Sequence, residues 1–363
     1  MGIQEPPVVF QPPAGEPVYF VSLIAGLEAV VADELAERVP QATILGASRG
    51  KLFYAAPGDP SVGLELLTIE NVFAYAEQLT GIPHDEGGPE VIRRRMAALD
   101  LSSAVATYHS LHGRPDRPSF RITAKRSGTH EYNSMAVAAA AGAGVQKRYG
   151  WEVDLEDYDY DVRVYLTDDV ALVGLRLSPE PLHQRGRIEH GAASLNPTVA
   201  QAMCRLANPE PGELFADPMC GAGTILLERA RLGEPALLIG GDLFAQPLAK
   251  AAANLQAGGV RGRLVRWDAR HLPVRSECVD RVVCNLPWGR RIGSHRVNRH
   301  LYPGFVRELA RVLRPLGRAV LLTQEKRLIT RLVDRNRHLT FSERHTLSWA
   351  GMHPTIYVVQ RTD

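Results

Sequence analysis

The chain predicts an α/β protein, with a doubly wound parallel sheet in its C-terminal half and a smaller α+β region before it. Three observations carry this expectation. From about residue 214 short apolar strands alternate with helical segments, the order that builds a parallel sheet. Ahead of them the elements follow a strand–helix–strand–strand–helix–strand order, which makes a split α+β unit. A length of 363 residues exceeds one comfortable core, so two or three domains are expected.

Met1 to Pro17 carries Glu5 and several prolines but no basic stretch leading into an apolar run, and reads as a lead-in, not a signal peptide. Val18 to Ile24 alternates like a strand, and Gly26 to Val39 has helical spacing with Asp33, Glu34 and Glu37 on its wet side. Strands are expected at Ala42 to Ala47 and Leu52 to Ala56, divided by Arg49-Gly50. A helix from Ser61 and a strand over Phe73 to Leu79 complete the first unit, which ends in the turn residues Pro83 to Gly88. Glu90 to Leu111 reads as one helical segment, Ser119 to Lys125 as a strand, and Ser134 to Tyr149 as an alanine-rich helix capped by Asn133. Asp161 to Leu166 and Val170 to Leu177 form two strands joined at Asp168-Asp169, and Ser178 to Pro181 is the second boundary.

In the C-terminal half strands are expected at Leu214 to Ala216, Ala236 to Ile239, Arg263 to Val265, Arg281 to Cys284 and Ala319 to Leu322. Helices separate them at Thr224 to Leu232, Pro247 to Ala257, Leu301 to Leu313 and Arg327 to Asn336. Thr340 to Trp349 and Ile356 to Gln360 have only a short connection and form a closing hairpin.

Hydrophobic residues at 45% and charged residues at 23% fit an ordinary soluble globular protein, and no apolar run approaches the roughly 18 residues of a membrane span. Cys204, Cys220, Cys278 and Cys284 form no CxxC pair, so neither a disulfide framework nor a zinc site is expected, and a reducing cytoplasm fits. Net charge is only +2, but it is uneven. Arg290 to His300 holds four arginines and two histidines without an acid, Lys326 to Arg337 is mostly basic, and Glu152 to Asp161 is acidic. Such asymmetry suggests a face for a polyanion.

The sharpest chemical signal is Asp217-Pro218-Met219-Cys220-Gly221-Ala222-Gly223-Thr224, which follows a strand and opens a helix. Glycines permit a tight turn and close backbone approach, and free amides at a helix start favour a negative group. A ligand carboxylate suits that place, and so does a dinucleotide pyrophosphate, although Leu226 stands where the dinucleotide fingerprint has its third glycine. Asp242 ends the second strand at the spacing from which an acid meets ribose hydroxyls, with Leu243 and Phe244 beside it for an adenine. Asp268 and the Ala269 amide, after the third strand, fit the adenine edge. Each aspartate alone also fits a helix cap, but successive strand ends on one sheet edge define one crevice.

The fourth strand ends in Asn285-Leu286-Pro287-Trp288-Gly289. An exocyclic base amine is a poor nucleophile because its lone pair is delocalised. The Asn285 oxygen and the Leu286 carbonyl offer two acceptors for its hydrogens, which would turn the lone pair toward an electrophile. Trp288 offers a stacking face. His183 and His190 read as linker histidines, whereas Arg290, Arg291, Arg296 and Arg299 read as phosphate contacts beside a flipped base.

Asn285-Leu286-Pro287-Trp288 resembles the (Asp/Asn)-Pro-Pro-(Tyr/Phe/Trp) motif of amino methyltransferases, and Asp217 to Thr224 resembles their cofactor loop. Leucine stands in place of the first proline but keeps the carbonyl, so restoring proline at 286 is expected to be tolerated. Phe120 to Gly128, Gln146 to Gly150 and Val153-Asp154-Leu155 resemble the THUMP domain of RNA-modifying enzymes. Leu182 to Arg187 and Leu195 to Thr198 resemble the lead-in to the catalytic domain of THUMP-containing guanine-N2 methyltransferases of the TrmN type.

This resemblance covers residues 18 to 361. It implies a ferredoxin-like unit over 17–81, a THUMP domain over 82–178 and a Rossmann-like class I methyltransferase sheet over 179–363, with 179–198 linking. It implies S-adenosylmethionine as cofactor, held by Asp217, Cys220, Gly221, Ala222, Gly223, Thr224, Asp242, Leu243, Asp268, Ala269 and Asn285. Asn285, Leu286, Pro287 and Trp288 are then the catalytic loop. The substrate implied is the N2 amine of a tRNA guanosine near the acceptor stem, with Arg121, Lys125, Arg126, Lys147 and Arg148 as further RNA contacts, although their chemistry alone equally fits an ordinary solvated surface. A cytoplasmic monomer without metal or membrane is expected. The Asn-Leu-Pro-Trp motif alone equally permits a DNA adenine-N6 methyltransferase, and a catalytically silent RNA-binding module is the third class.

Overall fold

The computed structural model describes residues 10–13, 15–185, 195–289, 294–349 and 351–362. Its elements begin with β1 (Val18–Ser22), α1 (Glu28–Arg38), β2 (Thr43–Ser48), β3 (Lys51–Ala55) and β4 (Asn71–Leu79). Next come α2 (Gly88–Ala98), α3 (Ser102–His112), β5 (Ser119–Ser127), α4 (Ser134–Tyr149), β6 (Glu152–Val153), β7 (Tyr160–Thr167) and β8 (Val170–Arg176). These strands form one eight-stranded sheet in the order β2-β3-β1-β4-β8-β7-β5-β6. β1 lies between β3 and β4, which is why four of its five residues are buried. The antiparallel β4–β8 pair unites the early strands with those of the THUMP-like segment in a single sheet.

Two expected helices differ. The helix from Ser61 is a short 3-10 helix, Pro60–Glu65, capped by the Asp59 carboxylate. The segment Glu90 to Leu111 is two helices, α2 and α3. Leu99 turns extended, and the Tyr149 hydroxyl donates to the Leu99 carbonyl (2.9 Å) while accepting from the Leu101 amide (2.6 Å). That phenol replaces the helical bonds lost at the break, and Asp100 restarts α3 by capping Ser102. The cap on α4 is as expected: the Asn133 side chain accepts from the Ala136 amide, and Gly150 ends the helix left-handed.

The second set is α5 (Pro197–Leu206), β9 (Leu214–Asp217), α6 (Thr224–Ala230), β10 (Leu237–Asp242), α7 (Ala245–Ala257), β11 (Arg263–Arg266) and β12 (Val279–Asn285). α8 (His295–Val312), β13 (Leu313–Thr323), α9 (Lys326–Asp334), β14 (Leu339–Thr346) and β15 (Thr355–Arg361) complete it. α5 was not expected; Asn196 caps it and Pro197 starts it. α8 starts six residues before the expected Leu301 because Ser294 caps it. The sheet order is β11-β10-β9-β12-β13-β15-β14, parallel except for β15, which runs antiparallel to both neighbours. The hairpin β14–β15 thus closes a parallel sheet, the class I methyltransferase arrangement.

By contacts the chain divides into two compact units, Met1–Leu23 with Val31–Leu182, and Ile24–Val30 with His183–Asp363. The short piece 24–30 belongs with the second unit, where the Ser348 amide donates to the Ala25 carbonyl at 2.9 Å. The second unit's core packs Val282, Cys284 and Leu286 against Phe305 and Leu309 of α8 and Leu321 of β13. Each such leucine or phenylalanine contributes roughly 1.5–3 kcal/mol by leaving water. No helix among the described residues is long and apolar enough to cross a membrane.

Candidate active site

β9, β10 and β12 stand side by side and all end at the same sheet edge. The loop after β9 turns through Gly221 (φ +52°) and Gly223 (φ +81°), a left-handed conformation that glycine adopts without strain. A side chain at Gly221 would point into open space, so the loop leaves room for a ligand against its backbone. Asp242, at the end of β10, holds this loop: its carboxylate accepts from the Gly221 amide (3.1 Å) and the Phe244 amide (3.0 Å). Beside it Leu243 and Phe244 are exposed, 49% and 63%, an apolar surface available to a purine.

Asp217 is buried, accepts from the Met219 amide at 3.3 Å and meets the Cys284 thiol, the neighbour of Asn285. Burial, reinforced by the Asp242 charge, pushes its carboxyl up to about 8. Cys220 is buried with its amide on the Gly241 carbonyl, and burial pushes its thiol up. Ala222 gives its carbonyl to Asn254, and Thr224 is buried at the start of α6. Asp268 is half-buried and chelated by Arg270, whose guanidinium donates to both carboxylate oxygens at 2.6–3.0 Å and holds the carboxyl below its usual range. Ala269 beside it is buried.

At the reactive end the Trp288 indole N–H donates to Asn285 Oδ1 at 3.1 Å. An indole can only donate, so this bond orients the amide and leaves the oxygen a second lone pair. The Leu286 amide donates to the Leu322 carbonyl and its side chain is buried in the core. Proline at 286 would remove both, so the expectation that it is tolerated does not hold. The Pro287 carbonyl accepts from Asn298 (2.8 Å) and Tyr302 (2.7 Å), which fasten the loop to α8.

Three residues escaped the sequence analysis. Trp267, at the end of β11, donates its indole N–H to the Pro218 carbonyl (2.9 Å), and a Cβ on Gly241 would lie 1.9 Å from its ring. Trp267 therefore braces the glycine loop against β10. A tryptophan just before Asp268, facing a Gly-Gly strand end, is the signal that was there to find. Trp349 stands edge-on to Trp288, ring centres 6.4 Å apart. Glu325, at the head of α9, accepts from Asn298 (3.2 Å) and from His295. Among the described residues no group of three His, Cys, Asp or Glu side chains is placed to hold a metal ion.

The model of the THUMP domain matches residues 100–176, and that of the RMKL-like methyltransferase domain matches residues 185–348. A tRNA (guanine(6)-N2)-methyltransferase of Thermus thermophilus is 32% identical over 343 residues, 93% of this chain and 97% of that one. The chain belongs to this family of THUMP methyltransferases. A bovine relative, tRNA (guanine(6)-N(2))-methyltransferase THUMP3, is 35% identical over 266 residues, 68% of this chain and 52% of that protein. The chain thus spans about half the length of such mammalian THUMP methyltransferases. The crystal structure of TrmN from Thermus thermophilus matches with a TM-score of 0.79 at 29% identity, covering 95% of this chain and 99% of that one.

The basic residues of the THUMP segment are not equivalent. Lys125, Lys147 and Arg148 are exposed. Arg126 is half-buried and donates to the Gly128 carbonyl. Arg121 donates to buried Asp161 at 2.9 Å and lies over the Tyr158 ring. Burial alone would raise the Asp161 carboxyl, but Arg121 and Arg163 outweigh it and hold it below the usual range. Arg296 and Arg299 are exposed on α8, while Arg290, Arg291 and His190 lie outside the described residues.

Proposed function

We propose that the protein transfers a methyl group from S-adenosylmethionine to the exocyclic N2 amine of a guanosine in tRNA, in the acceptor-stem region. The observation that carries this proposal is the alignment of the glycine loop, Asp242 and the Asn285–Trp288 loop on neighbouring strand ends. The residues fit the cofactor: the Gly221–Gly223 turn with the Ala222 amide for its carboxylate, the Gly221 and Gly223 amides themselves being given to Asp242 and Cys220, then Asp242 for ribose hydroxyls, and Leu243 with Phe244 for the adenine, whose edge meets Asp268 and the Ala269 amide. Cys220, Ala222 and Thr224 hold the loop's shape. When bound, S-adenosylmethionine supplies a methyl group made electrophilic by its sulfonium.

Asn285 Oδ1 and the Leu286 carbonyl accept the amine hydrogens and aim the nitrogen lone pair across the crevice. Asn285 orients and takes no proton, because an amide is not basic at neutral pH, so the proton that the nitrogen loses on gaining the methyl group leaves to water. Trp288 stacks on the base, which must leave its own stack to arrive there, and Pro287 keeps Leu286 extended. The chain is read as residues 17–81, 82–178 and 179–363 (linker 179–198), with Lys125, Lys147 and Arg148 as RNA contacts, supported by Arg121 and Arg126 and by Arg296 and Arg299 on α8. Its four cysteines are free thiols, which supports work in a reducing cytoplasm, and the chain is taken to act as a monomer.

The test is methyl transfer from labelled cofactor to unmodified tRNA and to duplex DNA, with the product nucleoside identified by mass spectrometry. N2-methylguanosine from tRNA is expected. N6-methyladenine from DNA, or no transfer to either, would replace the proposal.

A further inference from the structure

Helices α8 and α9 run parallel. Each leaves the carboxyl edge of the sheet, α8 after β12 and α9 after β13, and each returns to the amino edge. Contacts at both ends place them side by side. At the carboxyl edge His295 and Asn298 of α8 reach Glu325 at the head of α9. At the amino edge Arg307 and Arg311 of α8 and Arg335 and Arg337 beyond α9 line one cavity of about 560 Å³.

Arg296 and Arg307 are eleven residues apart, three turns of helix, and so share one face of α8. Arg327, Arg331 and Arg335 repeat at intervals of four along and just past α9. All five are exposed. The acids nearby are mostly spent: Glu308 pairs with Arg311 at 2.7 Å, Glu277, which lines the cavity, pairs with Arg361 at 2.6 Å, and Glu325 holds His295. Asp334 is exposed, but among the described residues no carboxylate pairs with any of those five arginines. α9 exposes no large apolar side chain among the described residues, and α8 exposes only Val297, so the face lacks the apolar centre of a protein interface. Unpaired guanidiniums along a helix about 27 Å long repel one another, and their planar donors match phosphate oxygens.

Resting on the reading of an RNA base as substrate, we infer that the α8–α9 face is a track for the substrate's sugar–phosphate backbone. It starts beside the catalytic loop, where the base leaves its strand, and ends with a phosphate seated in the arginine-lined cavity at the opposite sheet edge. RNA contact on the second unit thus extends well away from the reacting amine.

The test measures tRNA affinity against salt, with steady-state methylation, for full-length wild type, Arg331→Ala/Arg335→Ala and Arg331→Lys/Arg335→Lys. A charge-matched control, Arg261→Ala/Arg263→Ala, alters exposed arginines at β11, the other border of the sheet. For the alanine pair the slope of log affinity against log salt should fall by about 2, at roughly 0.9 for each phosphate left without its cation. KM for tRNA should rise at least about threefold with kcat unchanged, a loss of uniform binding. The lysine pair should keep the slope, and the control should match wild type. An unaltered slope in the alanine pair, or an equal fall in the control, overturns the track. A wild type that binds tRNA without methylating it overturns the proposed activity and leaves the slopes to decide the track. A wild type that does not bind tRNA overturns both.

Discussion

At the scale of single residues the site separates holding from reacting. In the proposed mechanism Asn285 acts on the amine only as charge develops there, so Asn285→Ala should cut kcat by about 10²–10³, the cost of removing one preorganised polar partner. Cofactor affinity measured by calorimetry should stay near wild type, and a fully active variant would end the proposed mechanism. Asp217 makes a different claim, about pH. Folding keeps its carboxyl protonated up to about 8, whereas in the unfolded chain the proton leaves near the ordinary value of about 4. The stability it lends is therefore complete below about pH 4 and is lost as pH climbs to about 8, at up to about 1.4 kcal/mol per pH step. Asp217→Asn should lose less melting temperature than wild type between about pH 5 and 8. Parallel losses would mean that Asp217 ionises normally in the fold. The places of Asp217, Asp242 and Asn285, the residues proposed for the site, were legible because each ends a strand. Their partners were not: the Trp288–Asn285 bond and the seat of Leu286 in the core depend on how strands pair, which residue order alone does not state.

At the scale of elements the parallel sheet was legible from its alternating pattern, and misplacements cluster where a distant side chain intervenes. The break between α2 and α3 depends on Tyr149, about fifty residues downstream, and the one local sign of it is the Asp100 cap on Ser102. Trp267 is the same kind of long-range brace, fixing the loop after β9 from the end of β11. Trp267→Phe keeps a ring against Gly241 but removes the indole donor to Pro218. It should cost about 1 kcal/mol in global stability, the usual worth of one hydrogen bond. Cofactor affinity should drop several-fold, because the glycine loop loses its strut, while the salt dependence of tRNA binding stays unchanged. A variant with wild-type cofactor affinity would show that Asp242 alone suffices to hold the loop.

At the scale of the whole molecule the proposed division of labour predicts a loss of binding without a loss of chemistry. Lys125→Ala/Lys147→Ala/Arg148→Ala removes exposed charge from the first unit and leaves the Arg121–Asp161 pair intact. The slope of log affinity against log salt should fall by about 2–3 if all three meet phosphates, and single-turnover methylation at saturating tRNA should be retained. An unaltered slope would move the RNA contacts elsewhere. One detail of the chain's path also bears on how such a protein is made. Residues 24–30 belong with the second unit, and the Ala25 carbonyl accepts from the Ser348 amide. At the usual ribosomal rate of about 5–20 residues per second, those two residues are delivered roughly 20–60 s apart. The eight-stranded sheet has all its strands once residue 176 has emerged, but the catalytic sheet needs β15 as well as residues 24–30, which are made long before it. A nascent chain stalled short of Ser348 would therefore carry a complete first sheet joined to an unfinished catalytic one.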